Sequence, residues 1–128
     1  MSHSFNPKQG LIVLLVDVEG PTGSAILRLA LDTGATDTLL NVAPLVALGF
    51  KPALAGQQVQ ITTGSGVEFV PRIEVSKITA LGLEQTNFPV LCHTLPPSAA
   101  SDGLLGLDFL RGRVLTIDFV ASQITLTP

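Results

Sequence analysis

The segment LALDTGATDTLL, residues 29–40, is the most informative part of the sequence, because it places an acid, Asp32, between an apolar run and a glycine turn. A carboxylate that leaves apolar surroundings keeps its charge only where neighbours hydrogen-bond to it. Gly34 lets the backbone turn sharply and bring a main-chain N–H near the carboxylate. Thr33 offers a hydroxyl that can lock a partner loop, and Ala35 leaves space. The pattern predicts one acid held in a fixed pose, although Asp-Thr-Gly alone is also common turn chemistry.

Short β-strands are predicted along the whole chain, because Val, Ile, Leu, Thr and Phe recur in short runs that Gly and Pro separate. The predicted strands cover residues 11–18, 25–33, 57–63, 67–78 and 86–93, with a closing hairpin over 113–128. Residues 41–49 predict a short helix, and residues 104–112 predict a strand end that leads into a helical turn. The pattern indicates an all-β protein with one or two short helices, and we expect a single domain over residues 1–128.

A second apolar element, DGLLGLDFL at residues 102–110, has two leucines and a glycine before the predicted helical turn. Between it and the Asp-Thr-Gly motif lies ITTGSGVEF, residues 61–69, whose Gly-Ser-Gly centre predicts a hairpin. In order, spacing and context, these three elements resemble the retropepsin-like, or retroviral-type, aspartic peptidases over residues 11–126. The phrase GLDFLRG is more similar to the bacterial and cellular single-domain members than to the viral enzymes.

The resemblance implies a closed retropepsin-type β-barrel, a C2 homodimer and a role for each element. Asp32 is the implied catalytic residue, and the hairpin is the implied flap that closes over a substrate. The implied support residues of the active site are Thr33, Gly34, Ala35, Leu104, Leu105 and Gly106. The implied flap and substrate-binding residues are Thr63, Gly64, Ser65, Gly66 and Asp37. A solvated loop acid is an equally open interpretation of Asp37.

The chain departs from the viral members at one ion pair. Viral members often carry Arg after the glycine of the second element and Asp at the position of Thr36, whereas this chain has Leu107 and Thr36 there. A different local contact is therefore expected, and viral substrate preferences do not carry over. Asp108 is expected to cap the short helix.

The Asp-Thr-Gly motif occurs once in the 128 residues, so one chain carries only one such aspartate. Asp102, Asp108 and Asp118 lack the Thr or Ser and the Gly that follow Asp32. The implied chemistry needs two neighbouring carboxylates, one to activate water and one to polarise the scissile carbonyl. A second Asp32 must therefore come from a second chain.

The predicted function is an aspartic endopeptidase. The alternatives are a non-catalytic peptide-binding or dimerisation module on the same fold, and an unrelated β-barrel with a chance motif.

The composition argues against other classes of function. The net charge is −3 and the chain has no Tyr or Trp, so it has neither the basic stripe nor the stacking rings of a nucleic-acid-binding protein. The longest aliphatic run, residues 11–16, is shorter than the roughly 20 residues of a membrane span, so we expect a cytoplasmic protein with no membrane partner. The expected partners are a second copy and a peptide or protein substrate. Cys92 and His93 would face opposite sides of a strand, and neither a metal nor a cofactor is expected.

Overall fold

The computed structural model describes residues 1–64, 66–96 and 98–128, except for the side chain of Thr63, and this part of the chain is mostly β-structure. The strands are β1 (Ser2–Ser4), β2 (Val13–Gly20), β3 (Gly23–Leu31), β4 (Leu39–Asn41), β5 (Gln57–Thr63), β6 (Gly66–Ala80), β7 (Leu83–His93), β8 (Gly103–Leu105), β9 (Val114–Asp118) and β10 (Gln123–Thr127). The helices are α1 (Val42–Ala47), α2 (Leu107–Leu110) and a 3₁₀ turn at Pro52–Leu54. Throughout the described ranges, every helix is too short or too polar to traverse a bilayer.

Six strands form a closed barrel in the order β2-β3-β8-β4-β7-β6. The ring closes because residues 77–79 of β6 pair back onto residues 17–19 of β2. The first half of β6 pairs instead with β5, and this hairpin extends from the barrel. Closure gives the barrel strands a partner on each side, which removes free sheet edges. The predicted all-β class, with a closed barrel and one or two short helices, is confirmed.

The alternation of buried and exposed side chains explains why these segments are strands. In β2, Leu14, Val16 and Val18 are buried, whereas Leu15 is 70% exposed. Successive side chains of a strand point to opposite faces, so a strand with this pattern buries one face in the core. The sequence shows this pattern only in part, because the outward positions of β2 are themselves often apolar.

One hydrophobic core fills the barrel and includes residues of both α-helices. Leu45 of α1 and Phe109 of α2 are fully buried. The Phe109 ring meets Phe88 of β7 edge to face, with 5.8 Å between the ring centroids. The two helices have six and four residues, which is too short for stability by helix propensity alone. Packing on the barrel therefore holds them in place.

A three-stranded antiparallel sheet in the order β1-β10-β9 joins the two ends of the chain. Strands β9 and β10 form the predicted closing hairpin, and the Asp118 carboxylate accepts hydrogen bonds from the N–H groups of Val120 and Ala121 in its turn, each at 2.9 Å. Strand β1 pairs with residues 123–125. No local pattern in the first ten residues predicts this strand, because its pairing partner lies at the other end of the chain.

Strand β7 begins at Leu83, earlier than the predicted start at residue 86. The strand is locally irregular at Asn87, which has φ +50°, but its pairing with β6 keeps one register on both sides of this residue. Asparagine tolerates this region of backbone space better than most residues, so the strand continues through it. The residues between Leu83 and Asn87 are polar, so an apolar pattern does not identify them as strand.

Candidate active site

Asp32 directly follows β3, beside the end of the parallel strand β8. Its backbone N–H donates to the carbonyl oxygen of Leu105 at 3.0 Å, and Ala35 N–H donates to Asp32 O at 3.2 Å. The Gly34 N–H donates to Asp32 Oδ1 at 2.9 Å, as the sequence predicts. A Cβ at position 34 would lie 3.1 Å from that oxygen, so the close approach favours glycine. The carboxylate is half-buried, which leaves it accessible while the turn fixes its position.

The second apolar element lies against the Asp32 turn. Leu105 is fully buried, and Leu107 N–H donates to Ala35 O at 2.9 Å. A Cβ on Gly106 would lie 2.8 Å from backbone atoms of Asp37 and 2.9 Å from Ala35 O. Main-chain atoms cannot give way as a flexible side chain can, so Gly106 is required by the close crossing of two loops. The structure therefore brings the predicted support residues of both elements together.

Thr38 and Asp108 form a buried contact. It lies next to Thr36 and Leu107, the two positions at which viral members often carry an ion pair. Thr38 is fully buried, and its hydroxyl donates to Asp108 Oδ1 at 2.7 Å and accepts the Gly106 N–H at 3.1 Å. The Thr38 N–H donates to Asp108 Oδ2 at 3.0 Å. The contact ties the loop after Asp32 to helix α2. Sequence reasoning missed Thr38, because it directly follows the polar residues Thr36 and Asp37 and nothing local distinguishes it from them.

The prediction that Asp108 caps the short helix is wrong. The N-cap residue is Gly106, and no side chain bonds at that position. Asp108 lies in the first turn, where its Oδ1 accepts the Phe109 N–H at 2.9 Å. Its carboxylate is directed to Thr38, so it links two elements and does not end one.

An open cavity of about 520 Å³ begins next to the Asp32 turn. Its wall includes Ala35 and Asp37 from the loop, Ile61 and Thr62 from β5, and Leu104 from β8. Leu104, predicted to support the turn, thus also faces the cavity. The space lies between the loop that carries Asp32 and the predicted flap, and it is large enough to receive substrate side chains.

The predicted flap is the β5–β6 hairpin, whose strands pair up to Thr63 and Gly66. Gly66 has φ +123°, a conformation that glycine adopts without strain. No described heavy atom lies within 4 Å of the position that a Cβ on Gly64 would take, so this part of the hairpin is open. Ser65 and the side chain of Thr63 lie outside the described residues, and their predicted roles stay predictions.

Cys92 and His93 have different surroundings at the end of β7. Cys92 is buried, and burial raises the pKa of its thiol to about 11, so the thiol stays protonated and unreactive at neutral pH. His93 lines the cavity, with its Nε2 atom 3.8 Å from Glu68 Oε2 of β6. Within residues 1–64, 66–96 and 98–128, the acids, histidines and cysteine form no group of three or more that could hold a metal ion.

The chain is similar to a known protein family and to a solved protein structure. Residues 19–112 match the model of a family described as gag-polyprotein putative aspartyl protease. Among solved structures, a retropepsin-like aspartic protease from Rickettsia conorii is similar, with a TM-score of 0.72 and 19% sequence identity, over 99% of this chain and 91% of that chain. A search of curated proteins finds no match. The family model covers most of the chain and the structural likeness extends over nearly all of it, so this chain belongs to the gag-polyprotein aspartyl protease family and has a retropepsin-like fold.

Proposed function

We propose that the protein is an aspartic endopeptidase in which two Asp32 residues, one from each subunit of a C2 homodimer, activate one water molecule. The observation that carries the proposal is the geometry of the Asp32 turn. Leu105 fixes its backbone, the Gly34 N–H fixes its carboxylate, and the open cavity begins at Ala35. Membership of an aspartyl protease family supports the same activity.

The chemistry depends on a pair of carboxylates. Two carboxylates a few ångströms apart cannot both ionise easily, so the pair keeps one proton, and aspartic peptidases are the standard example of this effect. The ionised Asp32 takes a proton from water as the water oxygen attacks the scissile carbonyl carbon. The protonated Asp32 donates to the carbonyl oxygen. The tetrahedral species collapses when a proton reaches the amide nitrogen and the C–N bond breaks, with no acyl-enzyme.

Two other acids, Asp102 and Asp108, are engaged in hydrogen bonds. Both oxygens of Asp108 accept from Thr38, and Asp102 Oδ2 accepts the Arg28 N–H at 2.9 Å. These hydrogen bonds hold loops together. If either carboxylate acted as a catalytic base, it would lose these bonds and disrupt the loops. The Asp-Thr-Gly motif occurs once in the chain, so the second catalytic acid is proposed to be Asp32 of a partner chain, related by a two-fold axis.

The proposed substrate is an extended peptide that lies between the Asp32 loop and the flap. Strand β5 is the last strand of its sheet, so a peptide can pair with it as an added strand and direct alternate side chains into the cleft. Thr33 is exposed and makes no hydrogen bond with the described residues. Its hydroxyl is thus available to brace the partner's turn, as the family resemblance implies.

The substitution Asp32→Asn tests the mechanism, because it keeps the size of the side chain and removes the base. We expect cleavage of a peptide library at acid and neutral pH to fall by at least about 100-fold, the lower range of acid–base catalysis. Mass spectrometry of the digest measures the products, and sedimentation velocity measures whether the dimer persists. An active-site inhibitor of aspartic peptidases should block the wild-type digest.

The matched control is Asp17→Asn, because the carboxylate of this β2 acid has no hydrogen-bond or ion-pair partner within the described residues. This variant should cleave like the wild type. Unchanged cleavage by the Asp32→Asn protein would contradict the mechanism. Tight peptide binding by the wild type without cleavage at any pH would instead favour a non-catalytic binding module.

A further inference from the structure

Asp37 is a half-buried acid on the wall of the cavity. Among the described residues, no group donates a hydrogen bond to its carboxylate, and no cation lies within ion-pair distance of it. A carboxylate in this position has lost part of its hydration without a replacement partner. It therefore gains from any ligand that brings a hydrogen-bond donor into the cavity.

Most of the remaining wall is aliphatic. Leu91 is buried, and Leu39 and Leu104 are half-buried with surface left toward the cavity. Such a wall suits a run of methylene groups, and long cationic side chains pack their stems on apolar surface while the charged head reaches a polar group. The cavity thus combines a surface for a stem with an acid for a head.

The net charge around the cavity is negative whether or not His93 is protonated. No Lys or Arg lines the cavity in the part of the chain that is described. A neutral His93 leaves the carboxylates of Glu68 and Asp37 without a cation, and a protonated His93 is balanced by Glu68, its neighbour at 3.8 Å. Arg72 and Glu74 of β6 line a different cavity and carry opposite charges. The field inside this cavity therefore favours a cation.

On the basis of the proposed peptidase function, we infer that this cavity selects a lysine or arginine side chain of the substrate, with the stem on the leucines and the cationic head bonded to Asp37. An aliphatic side chain would cover Asp37 without giving it a partner, and an acidic side chain would repel it. Charge-assisted hydrogen bonds are the stronger class, so the preference is large enough to measure.

Peptide pairs that differ only by lysine or norleucine test the inference, because norleucine keeps the stem and lacks the ammonium group. The substitution is made in turn at each position around the cleaved bond. At the position that enters the cavity, we expect kcat/KM to be about tenfold higher for lysine, as a charge-assisted bond to a half-buried acid gives. The glutamate peptide should be the slowest of the series.

The variant Asp37→Asn assigns the preference to this acid. It should lower the ratio of kcat/KM for the lysine peptide to kcat/KM for the norleucine peptide by about tenfold, to near one. Asp17→Asn, an acid outside the cavity, should keep the wild-type ratio. The Asp32→Asn protein should also bind the lysine peptide more tightly than the norleucine peptide, which makes the same comparison without turnover.

Two results would overturn the inference and leave the proposed function intact. One is cleavage of norleucine peptides at least as fast as lysine peptides at every position, with cleavage still dependent on Asp32. The other is a lysine preference that survives Asp37→Asn. If the wild type cleaves nothing, the proposed function fails separately, and equal binding of the two peptides to the Asp32→Asn protein would then refute the inference as well.

Discussion

At the scale of single residues, the Asp32 turn depends on hydrogen bonds to residues that are distant in sequence. Asp32 N–H bonds to Leu105 O, and Thr38 bonds to Asp108 and to the Gly106 N–H. The hydrogen bond from Gly34 to Asp32 could be predicted from the local motif, and the family resemblance implied the close crossing at Gly106. The role of Thr38 could not be predicted, because its hydroxyl matters only once Asp108, 70 positions away, is known to reach it.

The substitution Thr38→Val tests that contact. Valine keeps the shape but leaves Asp108 Oδ1 and the Gly106 N–H without the hydroxyl, and a buried group without its partner costs about 1–3 kcal/mol. We expect the free energy of unfolding in urea to fall by about 2 kcal/mol. We also expect kcat/KM to fall, because the loop that follows Asp32 loses its tie to α2.

Thr38→Ser is the control, because it keeps the hydroxyl and loses one methyl group. Its free energy of unfolding should fall by only about 1 kcal/mol, and its kcat/KM should stay close to that of the wild type. A valine variant that is as stable and as active as the serine variant would show that the hydroxyl has no such role.

At the scale of secondary-structure elements, helix α2 illustrates how packing replaces propensity. It has four residues, and its Phe109 side chain is fully buried against Phe88. We expect Phe109→Ala to lower the free energy of unfolding by about 3–5 kcal/mol, since it removes a large buried side chain and leaves a cavity. Urea unfolding followed by circular dichroism measures the change.

Phe119→Ala is the matched control, because Phe119 is 72% exposed. Its ring contacts Phe5 edge to face, with 6.0 Å between centroids, so a loss of under about 1.5 kcal/mol is expected. Equal destabilisation by the two substitutions would contradict the view that α2 is anchored by its buried ring.

Elements with a local signal could be predicted, and elements held by remote partners could not. The predicted strand over 57–63 matches β5 in both bounds, since the glycines after it mark a hairpin. Strand β4 has three residues and exists through parallel pairing with β7 and antiparallel pairing with β8. Strand β1 likewise depends on β10. Nothing within three residues of sequence encodes a partner about 50 or more positions away.

At the scale of the whole molecule, the barrel and the proposed active site require different numbers of chains. The ring of six strands closes within one chain through the pairing of β2 with β6. The proposed chemistry needs two copies of Asp32, and each chain carries one Asp-Thr-Gly motif. One chain therefore completes the barrel, whereas the proposed catalysis requires that two barrels meet at their Asp32 turns.

The most direct test of this account is a crystal structure of the protein bound to a peptide-like inhibitor, from which the separation of the two Asp32 carboxylates is measured. We expect a dimer with a two-fold axis between them and nearest oxygens about 3 Å apart, close enough to share a proton. An active protein that is strictly monomeric, or a dimer whose Asp32 carboxylates are beyond hydrogen-bonding distance, would contradict the account.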